Sequence, residues 1–419
     1  MRRRLFVAAM LALTGLVGAV PANADMLHPA VVSADPVDFT PHVLDGTVWA
    51  ITVVGDTVVV GGSFSKVADR TGTRTYTRRN IFAYGLRDGA IRAFAPVVDG
   101  PVYALAPGAT GTVYIGGSFK TVAGTAQRGL ARLLLSNSRR VTSFGAKINW
   151  GDVRAMSIRG TRLYVGGTFT QINTVPRVAL ARLNAGTGAV DTGFDAKLTA
   201  PGLSRTRVEH FDVSPDGTRL IAVGALLKAA GKDRTQIVLL NVGGATAVVA
   251  DWYTNAYKPV CKEHFDTYLR QVKFSPNGSY FVVVATGQAS DPAKLCDSAA
   301  RFDVSGAGHH NPVWVNLTGG DSLYAVAVTG SAVYVGGHQR WLDNPYGNDD
   351  DDEGPGAVSR VGIGAINPTT GRALAWNPTR KRGVGVRSLV ATGEGLLVGS
   401  DTDELGYEYH GRIGMFPLP

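Results

Sequence analysis

The chain has 419 residues, 45% of them apolar and 18% charged, with a formal net charge of +9. That apolar share is ample for a large core. The dispersal of the basic residues argues against a nucleic-acid footprint, and no segment reaches the roughly 18 apolar residues that a membrane span needs.

The first residues carry Arg2, Arg3 and Arg4, an uncharged apolar stretch from Leu5 to Val20, and the small-residue pattern Ala22-Asn23-Ala24. This is the layout of a secretory signal peptide cleaved before Asp25. Residues 1–24 are expected to be removed and residues 25–419 to form one domain, a monomer outside the cytoplasm. Losing three Arg lowers the net charge from +9 to +6, a balance that favours acidic partners only weakly.

From residue 47 onward one unit recurs. An apolar run ("TVWAITVV", 47–54) leads through a turn to "VVVGGSFSKV" (58–67), and the run recurs as "VYIGGSFKTV" (113–122), "LYVGGTFTQI" (163–172) and "VYVGGHQRWL" (333–342). Degenerate copies stand at "IAVGA" (221–225), "VVVAT" (282–286) and "LLVGS" (396–400). These seven copies lie about 50 to 60 residues apart, at or somewhat above the periods of propeller repeats. Each copy adds a third run, such as "LARL" (130–133), "LARLN" (180–184) or "IGAIN" (363–367), and a fourth that ends in an aromatic residue. Four short strands with hairpin-length turns describe a propeller blade, so the expected fold is all-β: a seven-bladed β-propeller of four-stranded blades.

Details inside the unit fit that fold. The first run holds a small residue in every regular copy, Ala50, Ala104, Ala155, Ala325 and Ser388, where innermost strands converge on an axis. The Gly-Gly pair is expected to serve a backbone geometry that a Cβ resists, and to allow close sheet-on-sheet approach. Phe64, Phe119 and Phe169 are expected to pack between blades. "VSPDG" (213–217) and "FSPNG" (274–278) are strong turn sequences where first and second strands should join. Copy seven stops at "GRIGMFPLP" without a fourth run, while "DFTPHVLDGTVWAI" (38–51) has the order of outer strand, connector and inner strand. The N-terminal segment is therefore expected to supply the last outer strand and close the ring, leaving no exposed sheet edge.

The repeated "VYVGGSF…R..LARL…G……F" pattern resembles the delta-60 repeat family of extracellular bacterial β-propellers. The C-terminal stretch from "VYVGGHQRWLDNP" to "GVGVRSLVATGEGLLVGSDTDELG" is similar to secreted actinobacterial proteins carrying such repeats. The resemblance is strong in copies one, two, three and six and implies a fold; it brings no catalytic motif.

Residues that depart from the repeat mark the candidate site. They fall in "RVEHFD" (207–212), "KEHFDTYLRQ" (262–271), "HQRWLDNPYGNDDDDEGPG" (338–356) and "DTDELGYEYHGR" (401–412), all expected on one face of copies four to seven. Glu209, His210, Glu263, His264, His338, Arg340, Trp341, Asp343, Asp401, Asp403, Tyr407, Tyr409 and His410 are the candidate ligand-binding residues. Aromatic faces beside Arg and carboxylates suit sugars or anionic polymers. His210, His264, His338 and His410 could instead converge on a divalent metal, and Asp343, Asp401, Asp403 and Glu404 are a second candidate cation set. The run Asp349–Glu353 reads as a solvated loop tip, because it lacks the alternating ligands of a calcium loop. Cys261 and Cys296, the two cysteines, are expected to form a disulfide in an oxidising compartment.

No Gly-x-Ser-x-Gly elbow, phosphate loop, dinucleotide fingerprint or zinc-protease motif is present. The leading expectation is a secreted propeller binding an extracellular glycan or protein. A metal-dependent polysaccharide lyase or hydrolase on the same face, and a structural interaction module, are the alternatives.

Overall fold

The computed structural model describes residues 26–109, 111–263, 265–288, 291–347 and 352–419. The expected signal peptide, His264 and the acidic residues Asp349, Asp350 and Asp351 lie outside the described residues. Every helix-or-strand element among the described residues is a strand.

Seven antiparallel sheets follow one another among the described residues, each a meander of first, second and third strands. Sheet one runs Thr47–Val54, Thr57–Ser63 and Ile81–Gly85. The first strands of sheets two to seven are Val102–Gly108, Val153–Arg159, Arg207–Val213, Leu269–Phe274, Leu323–Val328 and Ser388–Thr392. Each packs against the first strand of the next sheet, and Ser388–Thr392 packs against Thr47–Val54. The two turn sequences do join first to second strands in sheets four and five. In the former, Ser214 accepts a backbone bond from Gly217, which sits at φ 71°.

Among the described residues the expected fourth strand forms only in sheets four and five, as Val248–Val249 and Trp314–Leu317. In four of the others it is reduced to a single bridge: Tyr84 with Ile91, Leu133 with Arg140, Leu183 with Val190, and Ile366 with Ala373. Burial of an aromatic side chain anchors these outer segments where a ladder does not. Phe94, Phe144, Phe194 and Trp376 are all buried, and the Phe144 ring lies 5.3 Å from that of Tyr114, the Phe194 ring 5.6 Å from that of Tyr164.

The N-terminal segment lies along the third strand of sheet seven, Ile413–Pro417, but earlier than expected. Ser33 and Val37 donate backbone bonds to Pro417 and Met415 at 2.8 and 2.9 Å. Within the expected segment, His42–Val43 pairs with Lys66–Ala68, and Val43 also donates to the Gly411 carbonyl at 2.7 Å. Val32 is buried with Tyr334, Trp376 and Phe416, so apolar burial as well as backbone pairing holds the segment in place.

The Gly-Gly pair has two separate steric causes. A Cβ on the first glycine would meet the leading Val of the next sheet: Gly61 against Val102, Gly116 against Val153, Gly166 against Val208, Gly336 against Val386, all within 2.6 to 2.9 Å. Gly399 of sheet seven has the same relation to Val48 of sheet one, at 2.6 Å. A Cβ on the second glycine would meet a backbone carbonyl of its own sheet, Thr47 for Gly62 and Pro101 for Gly117, at 2.2 and 2.0 Å. None of these glycines has the positive φ that reserves a position for glycine. Close approach accounts for the pair; unusual backbone geometry does not.

Cores form between neighbouring sheets. Phe64 packs with Val48 and Phe82 of sheet one and with Leu397, Ile413 and Met415 of sheet seven. Phe119 and Phe169 join sheets one with two and two with three in the same way. Cys261 and Cys296 are bonded, with Cα atoms 5.7 Å apart. The link ties the approach to sheet five to the loop before its third strand.

Candidate functional site

The inner strands enclose a cavity of about 920 Å³. Its wall is shaped by one recurring irregularity. In sheets one to six the first strand carries an extra residue opposite the end of the second strand, where sheets one, two, three and six have Gly-Gly, so that Val48 pairs with Gly62 and Ala50 with Gly61 while Trp49 is left between them. The same shift occurs at Tyr103, Arg154, Glu209, Arg270 and Tyr324. Arg387 holds the equivalent place, just ahead of the first strand of sheet seven. A bulge re-aims the extra side chain, and all seven of these residues line the cavity.

Four of the seven neighbouring pairs touch. Trp49 and Tyr103 meet edge to face at 5.7 Å. Arg154 forms an ion pair with Glu209, which also accepts from Arg207 at 2.5 Å. The Arg387 guanidinium lies 3.9 Å from the Tyr324 ring centroid and 4.9 Å from that of Trp49. Sheets six, seven and one are thereby joined at the mouth. Trp49 Nε1 donates to Ser63 at 3.1 Å, which places the mouth on the side of the loops after Gly-Gly.

The charges are unequally satisfied. Burial works against the Glu209 carboxylate, but the Arg154 and Arg207 guanidiniums outweigh it and hold its pKa below the ordinary carboxylate range. Burial also opposes charge on Arg154, where Glu209 and Asp152 more than compensate. Arg270 and Arg387 fare differently. Burial lowers the pKa of each, nearby guanidiniums add to the effect, and Glu209, Asp401 and Tyr324 offset it only in part.

Deeper in the wall, His210 follows Glu209. Burial pushes its pKa down to about 3, Lys273 adds to the effect, and the Val272 amide stands 3.5 Å from Nδ1. Asp212 accepts from the Phe274 amide at 2.9 Å, and Gln271 from that of Val326 at 2.6 Å. These bonds tie the first strands of sheets four, five and six together. At the far end Arg87 and Glu394 pair at 2.6 Å.

The sequence-derived candidates separate into several places. Glu209 and His210 line the cavity. His338 stands at the rim in sheet six, its ring 5.7 Å from Tyr324 and its Nε2 3.4 Å from buried Asp321. Arg340 and Arg382 reach the same carboxylate at 3.1 and 3.3 Å. Trp341 pairs in a short hairpin with Ser359, and its ring is 6.0 Å from the Arg340 guanidinium. Gln339, in the position that holds Phe elsewhere, is fully buried and does not project toward the mouth.

The other candidates serve local structure. Asp343 accepts from Asn316 and from the Ala373 amide. Asp401 accepts from the Val384 and Gly385 amides at 2.7 and 3.0 Å, shaping the segment that presents Arg387. Asp403 pairs with Lys381 at 3.4 Å. Tyr407 and Tyr409 are exposed on the outer hairpin of sheet seven, where Tyr409 lies 4.8 Å from the His42 ring. His410 is buried there, 3.3 Å from Thr40 Oγ1 and 3.5 Å from Glu408. Glu263 is exposed near the disulfide. His210, His338 and His410 thus have separate surroundings, and no group of three or more His, Cys, Asp or Glu is placed to hold a metal among the described residues.

Sequence reasoning finds Glu209 and misses the other six mouth residues. The signal is present in the frame V-x-A: x, which follows an apolar residue in every copy and precedes a small one in all but copies four and five (His210, Gln271), is aromatic or charged throughout.

Residues 162–194, which span the second and third strands of sheet three and its outer segment as far as Phe194, match a family model described as a domain of unknown function (DUF5122) β-propeller. The structure is similar to the WD40 β-propeller domain of Doa1, with a TM-score of 0.51 over 90% of this chain and 96% of that one, at 10% identity. The chain folds as a β-propeller. A computationally designed protein, Ika8, is also similar, with a TM-score of 0.47 at 10% identity over 92% of this chain and 100% of that one. No curated protein matches the sequence.

Proposed function

We propose that the chain is a secreted, monomeric, seven-bladed β-propeller whose ring is closed by its N-terminal segment, with residues 25–419 as one domain. It binds an extracellular glycan or cell-surface macromolecule at the mouth of the central cavity. One observation carries the reading: each of seven repeats presents a single side chain to the same cavity, six of them from a bulge and Arg387 from just ahead of its strand, and all seven are aromatic or charged. Packing alone would favour small apolar residues at a crowded axis. Contact of Arg387 with Trp49, and of Gly399 with Val48, supports closure. The leading Arg cluster and apolar stretch support export, as does a disulfide. The ligand-bearing part of the wall is that of sheets four to seven with Trp49, because Arg270, Arg387 and His338 lie there.

The test is an array of neutral and acidic oligosaccharides probed with the intact protein and with Trp49→Ala and Tyr324→Ala. Binding to at least one glycan class, weakened about tenfold or more by either change, is expected. Absence of glycan binding, or binding indifferent to both substitutions, would overturn the proposal.

A further inference from the structure

The mouth holds two cations that no carboxylate among the described residues engages directly. Among the described residues, the side chains of Arg270 and Arg387 make no hydrogen bond and no ion pair. Arg387 Nε is buried and lacks a partner. Glu209, the one carboxylate in the ring, is already engaged by Arg154 and Arg207. Asp321 on the rim is shared by His338, Arg340 and Arg382. Partly burying a guanidinium without an acceptor is unfavourable, so the arrangement is suited to an acceptor brought from outside. Arg387 is held between the Tyr324 and Trp49 rings at 3.9 and 4.9 Å, which fixes its fork before anything arrives.

We propose, resting on the glycan-binding reading above, that Arg270 and Arg387 form a carboxylate subsite for a uronate residue of an acidic polysaccharide. A planar carboxylate accepts two parallel N–H donors from one guanidinium, and the second cation adds charge without competing for the same geometry. The Trp49 and Tyr324 rings beside the subsite, with Tyr103 against Trp49, provide the apolar faces on which a sugar ring packs. A cavity of about 920 Å³ admits a ligand larger than a lone carboxylate. These aromatic surfaces favour a glycan over an acidic peptide as the occupant.

The experiment measures Kd calorimetrically for an oligouronate, its carboxyl-reduced neutral counterpart of equal length, a sulfated oligosaccharide and an acidic peptide of equal charge. The intact protein should prefer the oligouronate to the neutral counterpart by about 10- to 100-fold. Arg270→Met and Arg387→Met should each abolish most of that preference, measured as the ratio of the two affinities for the same variant. Arg387→Lys should restore little, because an ammonium lacks the fork. Urea unfolding checks that each variant is folded, and the comparison of ligands on the intact protein needs no variant. Equal affinity for acidic and neutral oligosaccharides refutes the subsite but leaves glycan binding standing; binding of neither refutes both. Equal or tighter binding of the sulfated sugar refutes the assignment to a carboxylate. The same result with the peptide, lost on the same Arg substitutions, refutes the glycan as occupant.

Discussion

Substituting the paired glycines of sheet two tests the steric account of the repeat. A Cβ at Gly116 would lie 2.6 Å from Val153 Cγ1 in the next sheet, and a Cβ at Gly117 would lie 2.0 Å from the Pro101 carbonyl oxygen. The valine is a side chain and can shift by a few tenths of an ångström. The carbonyl is backbone, and it already accepts from the Ser118 amide at 3.1 Å, directly beside the bulge that presents Tyr103. Gly116→Ala should therefore cost about 1 to 3 kcal/mol, as overpacking does, less up to about 1 kcal/mol recovered from the stiffer unfolded chain. Gly117→Ala should cost about 3 to 5 kcal/mol, because the bulge or its ladder must break. Equilibrium urea unfolding at unchanged m-value measures both. A cycle with Val153→Ala should return a coupling of at least about 0.5 kcal/mol with Gly116→Ala and little with Gly117→Ala. The reasoning fails if Gly117→Ala unfolds within about 0.5 kcal/mol of the parent, or if Gly116→Ala is the more damaging change.

Protonation offers a second test. His210 has a folded-state pKa of about 3 against 6.5 in the unfolded chain, so between those values the unfolded state binds more protons. Its contribution is complete above pH 6.5 and declines as pH falls toward 3. Since the ring faces a cavity that water reaches, the loss should be about 2 kcal/mol, well under the unscreened limit. His210→Gln should flatten that part of the pH–stability curve; an unchanged slope would contradict the buried neutral imidazole. Replacing Cys261 and Cys296 by Ala, which opens a link spanning 35 residues, should lower stability by about 3 to 4 kcal/mol, seen as a lower unfolding midpoint; insensitivity of the parent to reductant would count against it. Arg182 is buried and donates to Asp191 and to the carbonyls of Val242, Gly244 and Ala245 in sheet four. Arg182→Met should cost about 2 to 4 kcal/mol in the same urea assay, with Arg182→Lys recovering little of it.

Much of the architecture is legible in local pattern. The runs around Gly61, Gly116, Gly166 and Gly336 announce strands, and Ser214 to Gly217 announces a turn, because alternation and turn chemistry act over a few residues. The same pattern overstates the fourth strands, since a segment ending in Phe94 or Phe144 can be held by burying that ring without a ladder. Site residues are legible where they break the template, as Glu209 and His338 do. Asp343, Asp401 and His410 break it equally, yet they serve local hydrogen bonding.

The sequence by itself determined the repeating unit, its turns and the identity of each residue in the V-x-A frame, because these rest on sterics between near neighbours in the chain. Only the tertiary structure decided that Trp49 and Arg387, 338 positions apart, share one mouth, and that Arg270 and Arg387 stand there without acceptors. Those facts depend on how successive sheets pack and on a bulge that turns one side chain inward in six of the sheets, and no spacing along the chain encodes either.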